Sequence, residues 1–365
     1  MQGFGFMNHA PVVPLVMRDA GVSPAAAGFL TTATFLSCAV FSIPLGALTD
    51  RFGPKRVTAF VLALLAVSAI GLAAAPSYGF MLATRVLAGV SLASVFVAGG
   101  QYVTTHWSGA RQHVAQGLHG GSILLGVGAG VFVLPALSEA LGWRAAIALS
   151  ALPAVLGALV WLFAARPGAP SVRRAAIASV YRSATLWRLG IAHTSMFGTG
   201  IVLGAWVAVY LVSEFDLPVA YAGFFGSLGL LIGAAGRPVG GVLVSLGWGR
   251  PRALIVVTLA GILVALAVMA WPGRPLAVAV AGIAVAGVAT SLGFAPIVAL
   301  AARAAPGAAG AALGLIGLHA TFAVVAGAPL VGALWSATGS FTVPLGALAL
   351  MPAAALVLAL GLPRD

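Results

Sequence analysis

Charged residues are scarce in this sequence: Asp, Glu, Lys and Arg together account for 7% of its 365 residues. A soluble domain carries roughly 25%, and a surface that faces water cannot be built from so few charges. Hydrophobic residues make up 61% of the chain, and the mean hydropathy is +1.12. The shortage of charge therefore excludes a soluble globular protein and indicates a membrane protein whose surface largely faces lipid.

Cysteine and acidic residues are also rare. The single cysteine, Cys38, lies in an apolar run, which excludes a disulfide framework. Six acidic residues against 18 basic ones leave a formal net charge of +12, a value that would also suit a nucleic-acid-binding protein. The basic residues, however, fall in short gaps between apolar runs, with no aromatic residues interleaved. This placement excludes a nucleic-acid partner and fits the control of membrane topology.

Long apolar runs dominate the chain. A membrane-spanning helix needs roughly 20 apolar residues, and runs bounded by charges, glycine and proline predict an all-α membrane protein with twelve spans. The first run is short and lacks a basic leader, so we expect further residues upstream of Met1. The predicted spans are 1–17, 24–48, 57–75, 79–104, 113–137, 144–165, 186–212, 219–246, 253–271, 276–302, 308–336 and 341–362.

The basic residues predict the orientation of these spans. Short loops rich in Arg and Lys stay in the cytoplasm, and such loops follow the even-numbered spans. Both termini are therefore predicted to be cytoplasmic. Lys55 is the only lysine, and with abundant Ala and Gly this indicates a bacterial chain, and hence the inner membrane. The basic residues after even-numbered spans include Arg51, Lys55, Arg56, Arg111, Arg166, Arg250, Arg252 and Arg303.

The longest polar stretch, 166–185, divides the chain into two predicted units, 1–165 and 186–365, each with six spans. The two units resemble each other weakly. Gly-Leu-His at 117–119 recurs at 317–319, a displacement of 317 − 117 = 200 positions, and histidine is rare in this chain. Transporters built from two six-helix halves show such internal symmetry, with the substrate site between the halves.

The loop after the second span carries a recognisable motif. Residues 46–56, GALTDRFGPKR, resemble the signature G-x-L-x-D-R-x-G-x-K/R-R of the major facilitator superfamily. The resemblance implies the major facilitator fold, twelve helices in two pseudo-symmetric six-helix bundles. An ordinary basic loop is the alternative interpretation. The resemblance also implies a gating role for Gly46, Asp50, Arg51, Gly53, Lys55 and Arg56, together with Arg111 after the fourth span.

Two arginines, Arg85 and Arg237, lie deep within predicted spans, where an ionisable side chain is a candidate functional residue. Residues 233–241, GAAGRPVGG, resemble helix 8 of nitrate/nitrite porters and of monocarboxylate and oxalate/formate carriers. The resemblance implies that Arg237 contacts an anion. Those porters carry a second arginine on helix 2, where this chain has Ser42, a departure that favours a monovalent organic anion over nitrate. The alternative for Arg237 is that it anchors the helix at the cytoplasmic surface. The alternative for Arg85 is that it links helices.

Histidines are the candidate proton carriers, because no acidic residue lies deep in a predicted span and imidazole titrates near neutral pH. Each of these histidines could instead be a packing residue bonded to a neighbouring helix. Together with the two arginines, the predicted substrate-binding residues are His119, His319, His9, Asn8, Gln101 and Tyr102; His193 is a further candidate for the proton.

The sequence therefore predicts a secondary active transporter that moves a small, monovalent, organic anion by alternating access. Proton cotransport is left open, and a monomer is expected. Efflux of a hydrophobic drug is an alternative, although Val131 follows Gly130 where drug antiporters usually have proline. A transporter-like sensor is an alternative of another class. The sequence shows no phosphate loop, zinc spacing or nucleophile motif, so we expect neither an enzyme nor a cofactor.

Overall fold

The structure is a computed structural model that describes residues 1–107, 109–166, 177–245, 250–305 and 309–362. Within these ranges every regular element is helical. Helices satisfy their own backbone N–H and C=O groups, which lipid cannot do. Half of the predicted linker 166–185, residues 167–176, lies outside the described residues.

The first half of the chain contains nine α-helices, with a 3₁₀ turn at Ala10–Val12 and a π-helical segment at Val95–Gly99. The α-helices are α1 Gln2–Phe6, α2 Val13–Ala20, α3 Pro24–Phe52, α4 Pro54–Ala73, α5 Tyr78–Ser94, α6 Gly100–His106, α7 Gly109–Leu141, α8 Trp143–Leu149 and α9 Ala151–Phe163.

The described part of the second half contains eight further helices. They are α10 Ile177–Arg182, α11 Ala184–Phe215, α12 Val219–Ser245, α13 Pro251–Ala270, α14 Leu276–Leu292, α15 Phe294–Ala304, α16 Ala309–Thr338 and α17 Thr342–Ala359.

Ten stretches in the described residues are long and apolar enough to cross a membrane, which confirms a multi-pass all-α protein. The other two predicted spans, 1–17 and 79–104, are interrupted. Prolines at the starts of the 3₁₀ turn and of α2 break the first, because proline removes a backbone donor. The π-helical segment separates α6 from α5, an apolar helix only 17 residues long. The count of twelve spans stays a prediction.

Serine and glycine define several helix boundaries. The Ser23 and Ser77 hydroxyls accept hydrogen bonds from backbone N–H groups in the first turns of α3 and α5, at 3.3 Å each. Gly53 joins α3 to α4 with φ +79°, and Gly142 joins α7 to α8 with φ +83°, a region that glycine occupies without steric cost. We name the two ends of the helix bundle the Gly53 end and the Gly142 end.

Ion pairs in the described residues gather at the Gly142 end. Arg274 contacts Glu214 at 2.8 Å and donates to the Tyr210 hydroxyl at 2.7 Å. The second Glu214 oxygen accepts from the backbone N–H of Phe341 at 2.7 Å, at the start of α17. These bonds tie α11, α17 and the connection between α13 and α14 together.

Helices of the two predicted units meet along two seams. Along the first seam, α3 packs on α16, and the Thr32 hydroxyl donates to the Val325 carbonyl at 2.7 Å. Along the second, α7 packs on α12, where a Cβ at Gly121 would lie 2.9 Å from the Ala234 carbonyl oxygen. At the Gly142 end of this seam, the Ala220 N–H donates to the Glu139 carboxylate at 2.8 Å.

Glycines bring α12 and α14 into backbone contact. A Cβ at Gly229 would lie 2.9 Å from the Ile283 carbonyl oxygen, and one at Gly233 would lie 2.7 Å from the Ser291 hydroxyl. A Cβ at Gly287 would overlap the Gly229 carbonyl group. Small residues allow this close approach between membrane helices, and it determines which face of α12 remains for α7.

We predict that Gly287→Ala destabilises the protein by about 1–3 kcal/mol, the usual cost of overpacking. The added methyl group meets backbone atoms of α12, which cannot rotate away as a side chain can. The matched control is Gly346→Ala in α17, where an added Cβ has no heavy atom within 4 Å. Apparent melting temperatures in one detergent compare the variants. A Gly287→Ala protein as stable as the control would contradict the close α12–α14 contact.

Candidate functional site

Arg237 is buried in the middle of the helix bundle. Its residue surface is 7% exposed, which favours a role inside the bundle over that of a surface anchor. Its Nη1 donates to the Gly120 carbonyl of α7 at 2.9 Å, and its Cζ lies 4.7 Å from the Phe294 ring centroid. Its Nε has no hydrogen-bond partner, and no described carboxylate pairs with it. The positive charge is thus solvated by one carbonyl and one aromatic face.

The packing of α12 explains this position. Gly233 and Gly236 place one face of the helix against α14, and Ala234 and Arg237, which lie three residues apart, face α7. Side chains three residues apart share a helix face. A Cβ at Gly120 would lie 3.0 Å from Nη1 of Arg237. The absence of a side chain at Gly120 therefore makes room for the guanidinium.

Arg237 lines a cavity of about 40 Å³ between α7, α11, α12, α13 and α14. This volume holds about three water-sized groups. Most of the lining is glycine and aliphatic side chains, and Thr290 and Ser291 add hydroxyls. The cavity therefore combines one permanent positive charge with low polarity, which strengthens electrostatic attraction compared with water.

Two histidines lie beside this cluster. The His193 ring on α11 lies 5.7 Å from the Phe197 ring and 5.9 Å from the Phe294 ring, so it shares Phe294 with Arg237. His119 on α7 is the residue before Gly120, and its Nε2 lies 3.0 Å from the Val95 carbonyl oxygen. The structure thus brings Arg237, His119 and His193 together from three helices.

Arg85 and Asn8 belong to a separate network. Arg85 is fully buried; its Nη1 donates to Asn8 Oδ1 at 2.8 Å and its Nη2 to the Ser68 hydroxyl at 2.9 Å. The Asn8 amide donates in turn to the Ser150 hydroxyl at 2.8 Å. Neither Arg85 nor Asn8 lines the Arg237 cavity. This geometry favours the alternative that Arg85 links helices.

The remaining predicted binding residues also lie apart from the Arg237 cavity. His9 contacts the Thr31 hydroxyl at 3.1 Å, and His319 lies 2.7 Å from the Leu315 carbonyl of its own helix. Tyr102 contacts the Trp161 ring at 4.7 Å, near the end of α9, and Gln101 is half-buried next to it with a contact of its own.

The predicted gating residues lie at the Gly53 end. Gly46 and Lys55 are half-buried, Arg51 and Arg56 are exposed, and the Gly53 N–H donates to the Thr49 carbonyl at 2.8 Å. The side chains of Asp50 and Arg111 lie outside the described residues. The gating role stays a prediction.

Sequence reasoning missed the two groups that contact the Arg237 guanidinium. The Gly120 partner is a backbone carbonyl, and its only sequence signal is a glycine pair next to one of the few histidines. Phe294 is one of 18 phenylalanines, and nothing in its flanking sequence separates it from the others.

We predict that Asn8→Ala destabilises the protein by about 1.5–3 kcal/mol, the range for a hydrogen bond to a charged group. The buried Arg85 guanidinium would lose the acceptor of its Nη1 and keep only Ser68. The control is Ser42→Ala, since the Ser42 hydroxyl only donates to Cys38 in its own helix, and we expect its effect to stay within about 0.5 kcal/mol. Thermal unfolding in detergent measures both, and equal stabilities would contradict the proposed link.

The sequence is similar to proteins of one family. Residues 1–285 match the model of the Major Facilitator Superfamily. The chain is 25% identical over 248 residues to the "Probable nitrate transporter NarT" of Staphylococcus epidermidis and 24% identical over 245 residues to the "Nitrite extrusion protein" of Bacillus subtilis. The matches cover 66% of this chain, and 63% and 62% of these relatives.

Solved structures agree on the fold. The "Bacterial Homolog to Human Lysosomal Transporter, Spinster", in an inward-facing and unoccupied conformation, superposes with a TM-score of 0.80 at 14% identity, over 98% of this chain and 93% of that one. Its inward-facing and occupied form gives a TM-score of 0.74 at 16% identity. Since the family model covers more than half of the sequence, the chain belongs to the major facilitator superfamily.

Proposed function

We propose that this protein transports a small monovalent anion across the membrane by alternating access and that Arg237 is the counter-charge in its binding site. The observation that carries the proposal is a buried guanidinium with a single neutral hydrogen-bond acceptor, at the edge of a small cavity. An isolated buried charge is costly. An anion that enters the cavity would remove that cost.

The Arg237 guanidinium has N–H donors that are not used within the described part of the chain. It offers five N–H groups in a planar fork that matches a carboxylate or oxyanion, and Gly120 accepts from Nη1 alone. Hydrogen bonds to an anion are roughly twice as strong as those to a neutral acceptor. An arriving anion would therefore compete favourably with the Gly120 carbonyl.

The size of the cavity and the names of the relatives guide the choice of anion. A volume of about 40 Å³ suits a small anion. Two of the relatives are named as nitrate and nitrite transporters, so nitrate and nitrite are the first candidates. The single arginine and Ser42 favour a small organic anion, for which formate and acetate are the probes.

The topology is part of the proposal. We propose that the protein resides in the inner membrane of a bacterium, with the Gly53 end and both termini in the cytoplasm. Residues 1–165 and 186–365 would form the two moving bundles, joined by the linker 166–185. The signature residues 46–56 and Arg111 would form the cytoplasmic gate.

We predict that Arg237→Gln weakens anion binding at least about 100-fold. Opposite charges 4 Å apart attract by about 4 kcal/mol at an effective dielectric constant of 20, and 1.4 kcal/mol corresponds to tenfold. Arg237→Lys keeps the charge but loses the fork, so we expect a loss of about tenfold. Counterflow of nitrate, nitrite, formate and acetate in proteoliposomes measures the effect.

The matched control is Arg166→Gln, which removes an equal charge beyond the end of α9, outside the cavity. It should transport as the wild type does. Anion transport by Arg237→Gln at the parental rate would overturn the proposal. Transport of hydrophobic cations that is insensitive to Arg237→Gln would favour drug efflux, and anion binding without counterflow would favour a sensor.

A further inference from the structure

His119 connects the π-helical segment to the Arg237 site. Its Nε2 lies 3.0 Å from the carbonyl oxygen of Val95, the first residue of that segment. A Cβ at Gly99, the last residue of the segment, would lie 2.5 Å from Cε1 and 2.6 Å from Nε2 of the ring. The missing side chain at Gly99 therefore accommodates the imidazole. π-Helical segments are rare, and many occur at functional sites.

The contact with Val95 determines the tautomer of His119. A carbonyl oxygen only accepts hydrogen bonds, so Nε2 carries the hydrogen in this bond. In the neutral ring, Nδ1 is then the basic nitrogen. A proton that binds Nδ1 leaves the bond to Val95 intact. His119 can thus gain and lose a proton without giving up its position against the π-helical segment.

We infer that His119 takes up one proton from solvent on Nδ1 when an anion binds Arg237, and that anion and proton are transported together. This inference rests on the proposed function. His119 precedes Gly120, whose carbonyl accepts from Arg237. A bare guanidinium repels a proton on the nearby imidazole, and a bound anion cancels that repulsion. The anion and the proton therefore favour each other's binding by the same factor.

The charged and titratable groups around His119 support this role. Arg237 faces it from α12, and His193 lies beyond Arg237 on α11. On α5, Arg85 is bonded to Asn8 and Ser68, and on α6 His106 lies against the Tyr102 carbonyl. On α7 itself, the side chains of Arg111, His113 and Gln116 lie outside the described residues.

The described acidic side chains are too far away to carry the proton. All of them lie in or beside the connections at the Gly142 end. Three accept hydrogen bonds from neighbouring groups there: Asp19, Glu139 and Glu214. The fourth, Asp216, follows the last turn of α11. Among the described side chains, a proton that travels with the anion through the middle of the bundle therefore needs an imidazole, unless the anion itself carries it.

Nitrate distinguishes proton transport on an imidazole from proton transport on the anion. It is the anion of a strong acid and stays ionised at neutral pH, so it cannot carry the proton itself. Purified protein in weakly buffered detergent solution is mixed with sodium nitrate near pH 7. A pH-indicator dye measures proton uptake, and calorimetry measures binding. We expect the wild type to take up as much as one proton per bound nitrate. Its affinity should fall by up to tenfold per pH unit over the range in which the free protein has lost the proton and the complex still holds it, and should level off once the complex loses the proton as well.

His119→Gln should bind nitrate with no proton uptake and with an affinity that does not change with pH. The glutamine amide can still donate to Val95 but does not titrate. His319→Gln is the matched control from the repeated Gly-Leu-His, because His319 lies against a carbonyl of its own helix and the Trp187 ring. It should take up protons as the wild type does.

Proton uptake that persists in His119→Gln, or that disappears in His193→Gln, would overturn the inference. If His119→Gln does not fold, the double variant His193→Gln/His319→Gln provides the test: uptake must persist in it, and its loss would assign the proton elsewhere. Wild-type protein that binds nitrate without proton uptake contradicts this inference alone. If the protein binds none of the four anions (nitrate, nitrite, formate and acetate), the proposed function itself is contradicted.

Discussion

A guanidinium buried among apolar groups has to find a compensating partner, and this requirement organises the centre of the protein. Arg237 meets it with one backbone carbonyl and one aromatic face. Both contacts depend on close packing, since Gly120 has no side chain to block the guanidinium and the glycine face of α12 is occupied by α14. The two contacts are neutral and leave the positive charge of Arg237 uncompensated, which makes the cavity a candidate site for an anion.

The two buried arginines show how neighbours decide the role of a residue. Arg85 is held by Asn8 and Ser68, whose oxygens are oriented by further hydrogen bonds, and it lines no described cavity. Arg237 has one neutral acceptor and lines a cavity. The Nε of each arginine lacks a partner among the described residues, but Arg85 uses both of its Nη groups, whereas Arg237 uses Nη1 alone and keeps Nη2 for a ligand.

Glycines allow close helix contacts both within and between the two predicted units. Within the second predicted unit, α12 and α14 touch backbone to backbone through glycines, and such contacts resist displacement because nothing can rotate away. Along the seams between the predicted units, glycines also approach backbone carbonyls, since a Cβ at Gly121 would lie 2.9 Å from the Ala234 oxygen and one at Gly223 would lie 2.6 Å from the Val131 oxygen. The Thr32 bond to Val325 adds about 1 kcal/mol net and the bond to the Glu139 carboxylate about 1.5–3 kcal/mol. Arg237 lies at such a seam.

The sequence by itself determined that the protein is a multi-pass membrane protein, its helical class and its family signature. These follow from composition and from the order of residues, because lipid forces apolar runs of sufficient length to become helices. The runs did not reveal that 79–104 is interrupted, since a π-helical segment changes the backbone geometry without changing the hydropathy. The interruption of 1–17 has a signal in the sequence, because it lies at prolines.

Only the tertiary structure decided that Gly120 and Phe294 contact Arg237 and that Arg85 belongs to another network. Periodicity gives the face of one helix, but the groups opposite that face come from helices distant in the chain, and packing alone determines which of them meet.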